Sequence, residues 1–355
     1  MTSRERQLHR TETQVTDSGP RPRPRAVLAM AKKTAEQVLD TGVRTRLAAL
    51  TDIDPHLVLD DLTTPTAHRA LADAELLITG WGCPPLDAAA LDAAPRLRAV
   101  VHTAGTVRHH ITPACWDRGL AVSSAAAANA VPVAEYTLAM ILLANKRVLD
   151  TARVYRTERR RVDWNERHPD AGNYRKTVGI LSASIIGRRV IDLLRPHDLT
   201  VLLHDPYVTP TEARALGAQP VALPELFEQS DVVSVHTPLL PETRGMVGRD
   251  LLARLRTGGT LINTARGAVL DQTALTREVV SGRLHAILDV TEPEVLPADS
   301  PLFDCPNVLV TPHIAGSKGG ELRRLADLAL AEVESYALGR PFTHPVRPEH
   351  LARLA

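Results

Sequence analysis

The sequence predicts an α/β protein in two lobes, each built around a parallel β-sheet. Three observations predict it. The chain has 355 residues, too many for one ordinary core, so two domains are expected. Short apolar runs alternate with helical segments, the pattern of a parallel sheet covered on both faces. The alternation occurs twice, divided by a polar, irregular arm from Arg156 to Lys176, RTERRRVDWNERHPDAGNYRK.

The first series opens with RAVLAM (Arg25–Met30). ELLITGW (Glu75–Trp81), LRAVVHTAG (Leu97–Gly105) and LAVSSA (Leu120–Ala125) are further strand candidates, with helical stretches such as LDAAALDAAP between them. A long apolar helix is expected from about Val133 to Arg156, where no Gly or Pro intervenes. From Thr177 the alternation restarts with TVGIL, TVLLHD, DVVSVH, TLINTA, HAILDV and NVLVTPH. RRVIDLL, RDLLARLR and QTALTREVV are among the helices separating the first five, and a Pro-rich loop joins the last two. Six strands at this spacing fit a doubly wound sheet. GGELRRLADLALAEVESYAL (Gly319–Leu338) predicts a closing helix, and no repeat of 20–50 residues is visible.

Composition narrows the partners. A hydrophobic content of 44% supports a buried core, and a formal net charge of +1 gives no general attraction to nucleic acid or membrane. No apolar run is expected to reach the roughly 20 residues of a membrane span. Cys83, Cys115 and Cys305 lack metal-ligand spacing and fit buried thiols in a reducing compartment. His109 and His110 have no further ligands in metal spacing, so no metal is expected. Met1–Arg25 is polar, lacks the apolar core of a secretory signal and ends in GPRPRPR; a disordered tail and a cytoplasmic location are the expectation.

The stretch TVGILSASIIGRR (Thr177–Arg189) has the strand–turn–helix frame of a dinucleotide-binding G-x-G-x-x-G turn, with Ser182, Ser184 and Gly187 at the three glycine positions. Gly187 keeps the close packing of helix on strand. Ser182, if left-handed, costs roughly 1–2 kcal/mol. Ser184 places a hydroxyl where pyrophosphate would lie, and the helix N-terminus still offers free N–H groups. The turn by itself predicts weakened binding. Asp205 ends the next strand, 18 residues on, where a carboxylate accepts both ribose hydroxyls and repels a 2′-phosphate. That favours NAD over NADP; a turn-forming Asp before Pro206 is the alternative.

Downstream, Arg266, Asp289, Glu294 and His313 lie at or beyond strand ends, where ligands bind in open α/β sheets. Arg266 would hold an anionic substrate by a forked pair of hydrogen bonds. His313 would exchange a proton with a carbonyl or hydroxyl oxygen, and Glu294 would orient it and favour its protonated form.

Six segments then carry a resemblance: AVSSAAAANAVPVAEYTLAMILLANKR, GILSASIIGRR, SDVVSVHTPLLPETRGMV, INTARGAVLDQTAL, ILDVTEPEVLPADSPL and NVLVTPHIAGS. Together they resemble the D-isomer-specific 2-hydroxyacid dehydrogenase family, of the phosphoglycerate dehydrogenase-like kind, from about Arg25 to Val346. The resemblance implies that Arg266, Glu294 and His313 are the catalytic trio and that NAD(H) is the cofactor. It places Ser182, Ser184, Ile185, Ile186 and Gly187 at the pyrophosphate, with Asp205 and Pro206 at the adenosine ribose. His236, Thr237, Pro238 and Thr243 would add cofactor contacts, His236 without a catalytic role. Thr264, Ala265, Asp289 and Gly316 would surround the nicotinamide. In the substrate lobe the loop HTAGTVR, with Ala104, Gly105, Thr106 and Arg108, would receive the substrate carboxylate opposite Trp81 and Gly82. The implied architecture is two Rossmann-like lobes: a doubly wound parallel-sheet NAD lobe (129–318) inserted in a split, flavodoxin-like substrate lobe (26–128 plus 319–346). Helix 129–156 would cross between lobes and help form a homodimer.

The implied activity interconverts a small 2-oxo acid and a D-2-hydroxy acid by hydride transfer. Related formate dehydrogenases carry Gln where this chain has Glu294, which argues against formate. Two departures leave alternatives. The serines in the turn admit a non-catalytic, nucleotide-binding regulator. Arg108, if turned inward, admits a biosynthetic reductase for a dianionic keto acid bearing phosphate, phosphonate or a second carboxylate. The basic run Arg156–Arg161 invites the same idea, against a solvated face or dimer arm.

Overall fold

A computed structural model describes residues 22–351. Five strands form the first sheet in parallel: β1 (Ala26–Ala29), β2 (Val58–Leu59), β3 (Leu76–Thr79), β4 (Ala99–His102) and β5 (Ala121–Ser124). Seven form the second: β6 (Thr177–Leu181), β7 (Thr200–His204), β8 (Gln219–Pro220), β9 (Val232–Val235), β10 (Thr260–Asn263), β11 (His285–Leu288) and β12 (Val308–Val310). A last strand, β13 (Pro345–Val346), returns to the first sheet antiparallel to β5.

The first sheet runs β13-β5-β4-β3-β1-β2 and the second β12-β11-β10-β9-β6-β7-β8. Both reverse direction beside their first strand, the flavodoxin-like and Rossmann-like doubly wound orders, and each reversal opens a crevice at the carboxyl strand ends. The strands are apolar on both faces, as parallel sheets covered by helices require. In β1, Val27 and Ala29 pack into one core, while Ala26 and Leu28 pack into another. The second sheet also separates two cores, one around Phe227 and Leu261, the other around Val190 and Ile262.

The helix Leu322–Ala337 closes the first lobe from across the molecule. Its Leu325, Ala326, Ala329, Leu330 and Val333 are buried, and the last four share a core with Leu28, Leu76 and Val101.

Several elements differ from the sequence expectation. The single helix expected from about Val133 to Arg156 is two. The first, Ala126–Asn145, starts earlier and contains Pro132; the second is Val148–Glu158. Arg147 breaks them with φ 55°, and its guanidinium bonds the Gly258 carbonyl of the second lobe. The first helix has 20 residues and is long and apolar enough to cross a membrane by length and composition, which corrects the expectation that no run approaches that length. Here its Ala134 and Ile141 pack against Val190, Ile191 and Leu194 of helix Ile185–Leu194. The closing helix begins as a 3-10 turn, Gly319–Glu321. β2 and β8 were not expected; each has two residues at a sheet edge, and Pro220 fits there because an edge position needs no donor on its outer side.

The tail expected to be disordered, Met1–Arg25, lies outside the described residues up to residue 21. Its last residues are bound to the first lobe: Pro24 accepts from the Asp52 amide at 2.9 Å, and Arg25 pairs with Asp52 at 2.8 Å.

Candidate active site

Two loops at the carboxyl end of the second sheet bring His313 and Glu294 together. Nδ1 of His313 donates to Oε1 of Glu294 at 2.6 Å. That bond holds the Glu294 carboxyl below the usual carboxylate range. The carboxylate also feels Arg266 and His109. His313 has φ 52°, a left-handed conformation that needs support in a residue with a Cβ. Asp289 supplies it. Its carbonyl accepts from the His313 amide, and its buried carboxylate accepts from the Thr311 hydroxyl and the amides of Ile314 and Ala315. Asp289 is expected beside the nicotinamide; the contacts the structure gives it fold the histidine loop.

Arg266 follows β10 and is largely enclosed, with its Nη1 donating to the Ala265 carbonyl at 2.6 Å. Burial pushes its guanidinium below its ordinary value; Glu294 opposes this and Arg108 adds to it. Arg108 of the first lobe is therefore within electrostatic reach of Arg266 across the cleft. At Gly267 a Cβ would lie 2.1 Å from the Thr291 carbonyl oxygen, so only glycine lets the arginine loop touch the glutamate loop. Gln272 clamps that second loop with both amide atoms on the backbone of Glu292, and the Thr291 hydroxyl bonds the Pro293 and Glu294 carbonyls.

The serine turn is intact. Ser182 has φ 78°, the left-handed geometry a glycine would take without penalty. Its hydroxyl pairs with that of Thr237 at 3.0 Å. Ser184 caps helix Ile185–Leu194, its Oγ accepting from the Gly187 amide at 3.3 Å. The cap engages a lone pair and leaves the hydroxyl proton as a donor. The amides of Ile185 and Ile186 have no partner among the described residues. A Cβ at Gly187 would fall 2.1 Å from the Ser182 carbonyl oxygen, so the third glycine is required sterically.

Asp205 takes the turn-forming role that the sequence left open. Its Oδ2 accepts from Ala183 at 2.8 Å and its Oδ1 from Tyr207, beyond Pro206, at 2.7 Å. A cleft of about 450 Å³ adjoins it, lined also by Val208, Arg214 and Glu225. His236 is fully buried, burial pushes its imidazole down to about 3, and Nε2 bonds Ser234. Its Nδ1 has no partner among the described residues. Thr243 braces its loop by donating to the Pro238 carbonyl at 2.6 Å. Thr264 bonds Thr137 of the crossing helix at 3.1 Å, and Gly316 lies against the Asn129 side chain.

On the first lobe, Trp81 is 41% exposed and Gly82 has φ 77° with no room for a Cβ beside Ala31. Ala104 is buried, and Thr106 accepts from the Arg108 amide at 3.4 Å.

Supporting residues escaped the sequence reading. Asn129 accepts from the Ser317 amide at 3.0 Å and flanks both Gly105 and Gly316, joining the two lobes where they cross. Tyr136 bonds Thr311 at 2.8 Å. Both lie in the quoted segment AAAANAVPVAEYT, where polar side chains interrupt an apolar helix; that was the available signal. Gln272 and Thr291 carried none.

Residues 138–315 match the family model described as D-isomer specific 2-hydroxyacid dehydrogenase, NAD binding domain. The chain is 33% identical over 310 residues to a D-3-phosphoglycerate dehydrogenase of Mycobacterium leprae, covering 86% of this chain and 57% of that protein. It is 31% identical over 260 residues to a glyoxylate reductase of Korarchaeum cryptofilum, covering 72% and 77%. It spans about half the length of the D-3-phosphoglycerate dehydrogenases it matches. A D-lactate dehydrogenase from Aquifex aeolicus, solved with NAD and lactic acid, superposes with a TM-score of 0.68 at 27% identity, over 88% of this chain and 96% of that one.

Proposed function

This chain belongs to the D-isomer-specific 2-hydroxyacid dehydrogenase family, and from that premise we propose that it is an NAD-dependent oxidoreductase interconverting a 2-oxo acid and a D-2-hydroxy acid. The observation that carries the reading is the His313–Glu294 hydrogen bond at 2.6 Å with the enclosed Arg266 in electrostatic contact. An imidazole braced by a carboxylate, beside a desolvated guanidinium, is what a carbonyl and a carboxylate together need.

The turn fits a dinucleotide. The amides of Ile185 and Ile186, the donor left on Ser184 and the orphaned His236 Nδ1 are available to hold it. Asp205 keeps carboxylate lone pairs for ribose hydroxyls and disfavours a 2′-phosphate. NADH, when bound, supplies the hydride. In reduction, Arg266 grips the substrate carboxylate and carbonyl, and His313 passes its Nε2 proton to the carbonyl oxygen. The loop 104–107 offers backbone N–H groups from the opposite lobe. Glu294 keeps the imidazole oriented through the hydrogen bond to Nδ1. A cytoplasmic homodimer belongs to the same proposal, supported by the family resemblance.

The test is titration of the protein with NADH and NADPH by nicotinamide fluorescence, followed by turnover of a 2-oxo acid panel. Micromolar NADH binding, weaker NADPH binding and turnover abolished in Arg266→Ala are expected. Millimolar nucleotide without binding, or turnover indifferent to Arg266→Ala, would overturn the reading in favour of a non-catalytic binding protein.

A second reading concerns the substrate. Arg108 is near enough to Arg266 to act on it electrostatically, and a second cation close to the site suits an acid with a second negative group. Arg108→Ala should then raise KM for dianionic keto acids far more than for pyruvate. Equal effects on both would dismiss a dianionic substrate.

A further inference from the structure

Thr79 is the last residue of β3 and leads directly into Gly80–Gly82, one wall of the proposed substrate pocket. His102 is the last residue of β4, the register partner of Thr79, and leads into the opposite wall, Thr103–Arg108. His110 closes that second loop. All three are buried. The Thr79 hydroxyl meets Nδ1 of His102 at 2.9 Å and Nε2 of His110 at 3.2 Å. The two rings lie 4.5 Å apart, tilted by 37°.

One hydroxyl carries one proton, so it donates to one ring and accepts from the other. The rings therefore hold opposite roles at Thr79, one presenting a lone pair and the other an N–H. Burial, aided by the charge of neighbouring His109, pushes His110 down to about 4 and His102 well below its ordinary value. Both are neutral near pH 7, as such a chain needs. The walls also touch directly: the Thr103 amide donates to the Thr79 carbonyl at 2.7 Å, and a Cβ at Gly80 would lie 2.9 Å from the Thr103 hydroxyl. The His110 carbonyl accepts from Leu86 at 2.8 Å, which ties the far end of the Trp81 loop to the same residue.

We propose that Thr79, His102 and His110 form a positioning clasp that fixes the separation of the two substrate-pocket walls and so sets the size of acid admitted. None of the three touches the reacting atoms; they act through Trp81, Gly82 and the Ala104–Thr106 backbone. The size-setting role rests on the dehydrogenase reading, whereas the clasp itself does not.

Thr79→Val keeps the shape and removes the hydroxyl; Thr79→Ser restores it. Amide hydrogen exchange in Thr79→Val should accelerate about tenfold in segments 80–82 and 103–110, the scale of one lost hydrogen bond, and stay unchanged in β6. KM for the preferred 2-oxo acid should rise about tenfold, with kcat and NADH affinity held, and bulkier acids should gain relative to the preferred one. Thr79→Ser should return every readout towards the starting protein. His110→Phe, which keeps the ring volume without the nitrogen, should reproduce Thr79→Val. Unchanged exchange in both walls, or loosening spread equally to β6 and not reversed by Ser, would overturn the clasp. So would failure of both Thr79→Val and His110→Phe to fold, since the trio would then be a folding element. A starting protein that turns over no 2-oxo acid would sink the dehydrogenase reading instead, while the exchange comparison still decides the clasp.

Discussion

Glu294 and His313 stand 19 residues apart in sequence and 2.6 Å apart in space, each on a loop held by other residues. Gln272 and Thr291 fix the first loop and Asp289 fixes the second. The pair is thus set before any substrate arrives, although both side chains face solvent, with Glu294 68% and His313 47% exposed.

The pair should control the pH dependence of reduction. Reduction consumes a proton, so its rate is present at low pH and falls as pH rises through the titration of the pair. Glu294 is held below the usual carboxylate range, so it stays charged throughout that fall. Glu294→Gln keeps an acceptor but removes the charge, and the falling limb of kcat should move to lower pH. His313→Ala should lower kcat by about 10²–10⁴-fold with NADH affinity unchanged. Steady-state rates between about pH 5 and 9 check both; a limb unmoved in Glu294→Gln assigns it to another group.

Arg266 should not be replaceable by lysine. The fork of a guanidinium can hold a carboxylate and a carbonyl oxygen together, and an ammonium cannot match that geometry. We expect kcat/KM to fall by about 10²–10³-fold in Arg266→Ala and to recover little in Arg266→Lys. Recovery to near the starting value would mean that charge alone is used.

The serine at the first position of the turn should behave as a compensated strain. Ser182→Ala keeps the left-handed backbone and loses the Thr237 partner, and should destabilise the protein by about 1 kcal/mol. Ser182→Gly relieves the strain while losing the same bond and gaining chain entropy in the unfolded state; it should fall within about 1 kcal/mol of the starting protein. Urea midpoints of the three proteins give the order directly. Ala more stable than Gly would show that the turn is not strained.

Acid should begin to destabilise the fold at a pH above the carboxylate range. His110 is pushed from 6.5 to about 4 and His236 from 6.5 to about 3, both by burial. In each case the unfolded chain binds the proton first, so stability is full above pH 6.5 and declines as pH falls, towards 4 for His110 and towards 3 for His236. Thermal midpoints should drop across that window, and the drop should shrink in His110→Phe. A midpoint flat from pH 7 to 4.5 would contradict the buried neutral imidazoles.

The two lobes were legible because their strands are continuous apolar runs with turn signals at both ends. The long apolar helix was misjudged at its start and at an internal break, for two reasons. Pro132 sits where a proline is read as a stop, and Arg147 adopts a left-handed turn that nothing in its residue type announces. His313, Glu294 and Arg266 could be read as a set because each follows a strand. Asp205 carries two alternatives; the backbone hydrogen bonds from Ala183 and Tyr207 give it a turn-forming role, and the comparison of NADH with NADPH tests the ribose role beside it. The pairing of Thr79 with His102 and His110 was not readable. It depends on the register of β3 against β4 and on a loop that folds back, neither of which is encoded locally. Gln272 and Thr291 were hidden for the same reason.

The helix Leu322–Ala337 has a consequence for how the chain is made. It covers Leu28, Leu76 and Val101, which precede it by more than two hundred positions. During synthesis from the amino terminus, β1 to β5 emerge with one apolar face covered only in part, by Val38, Val43 and Leu47, and the whole Rossmann-like unit can form before the rest of the cover arrives. At the usual pace of roughly 5–20 residues per second, that face waits on the order of ten seconds or more. A nascent chain of this protein is therefore a candidate for chaperone capture at its first sheet, and its second sheet is the unit that matures unaided.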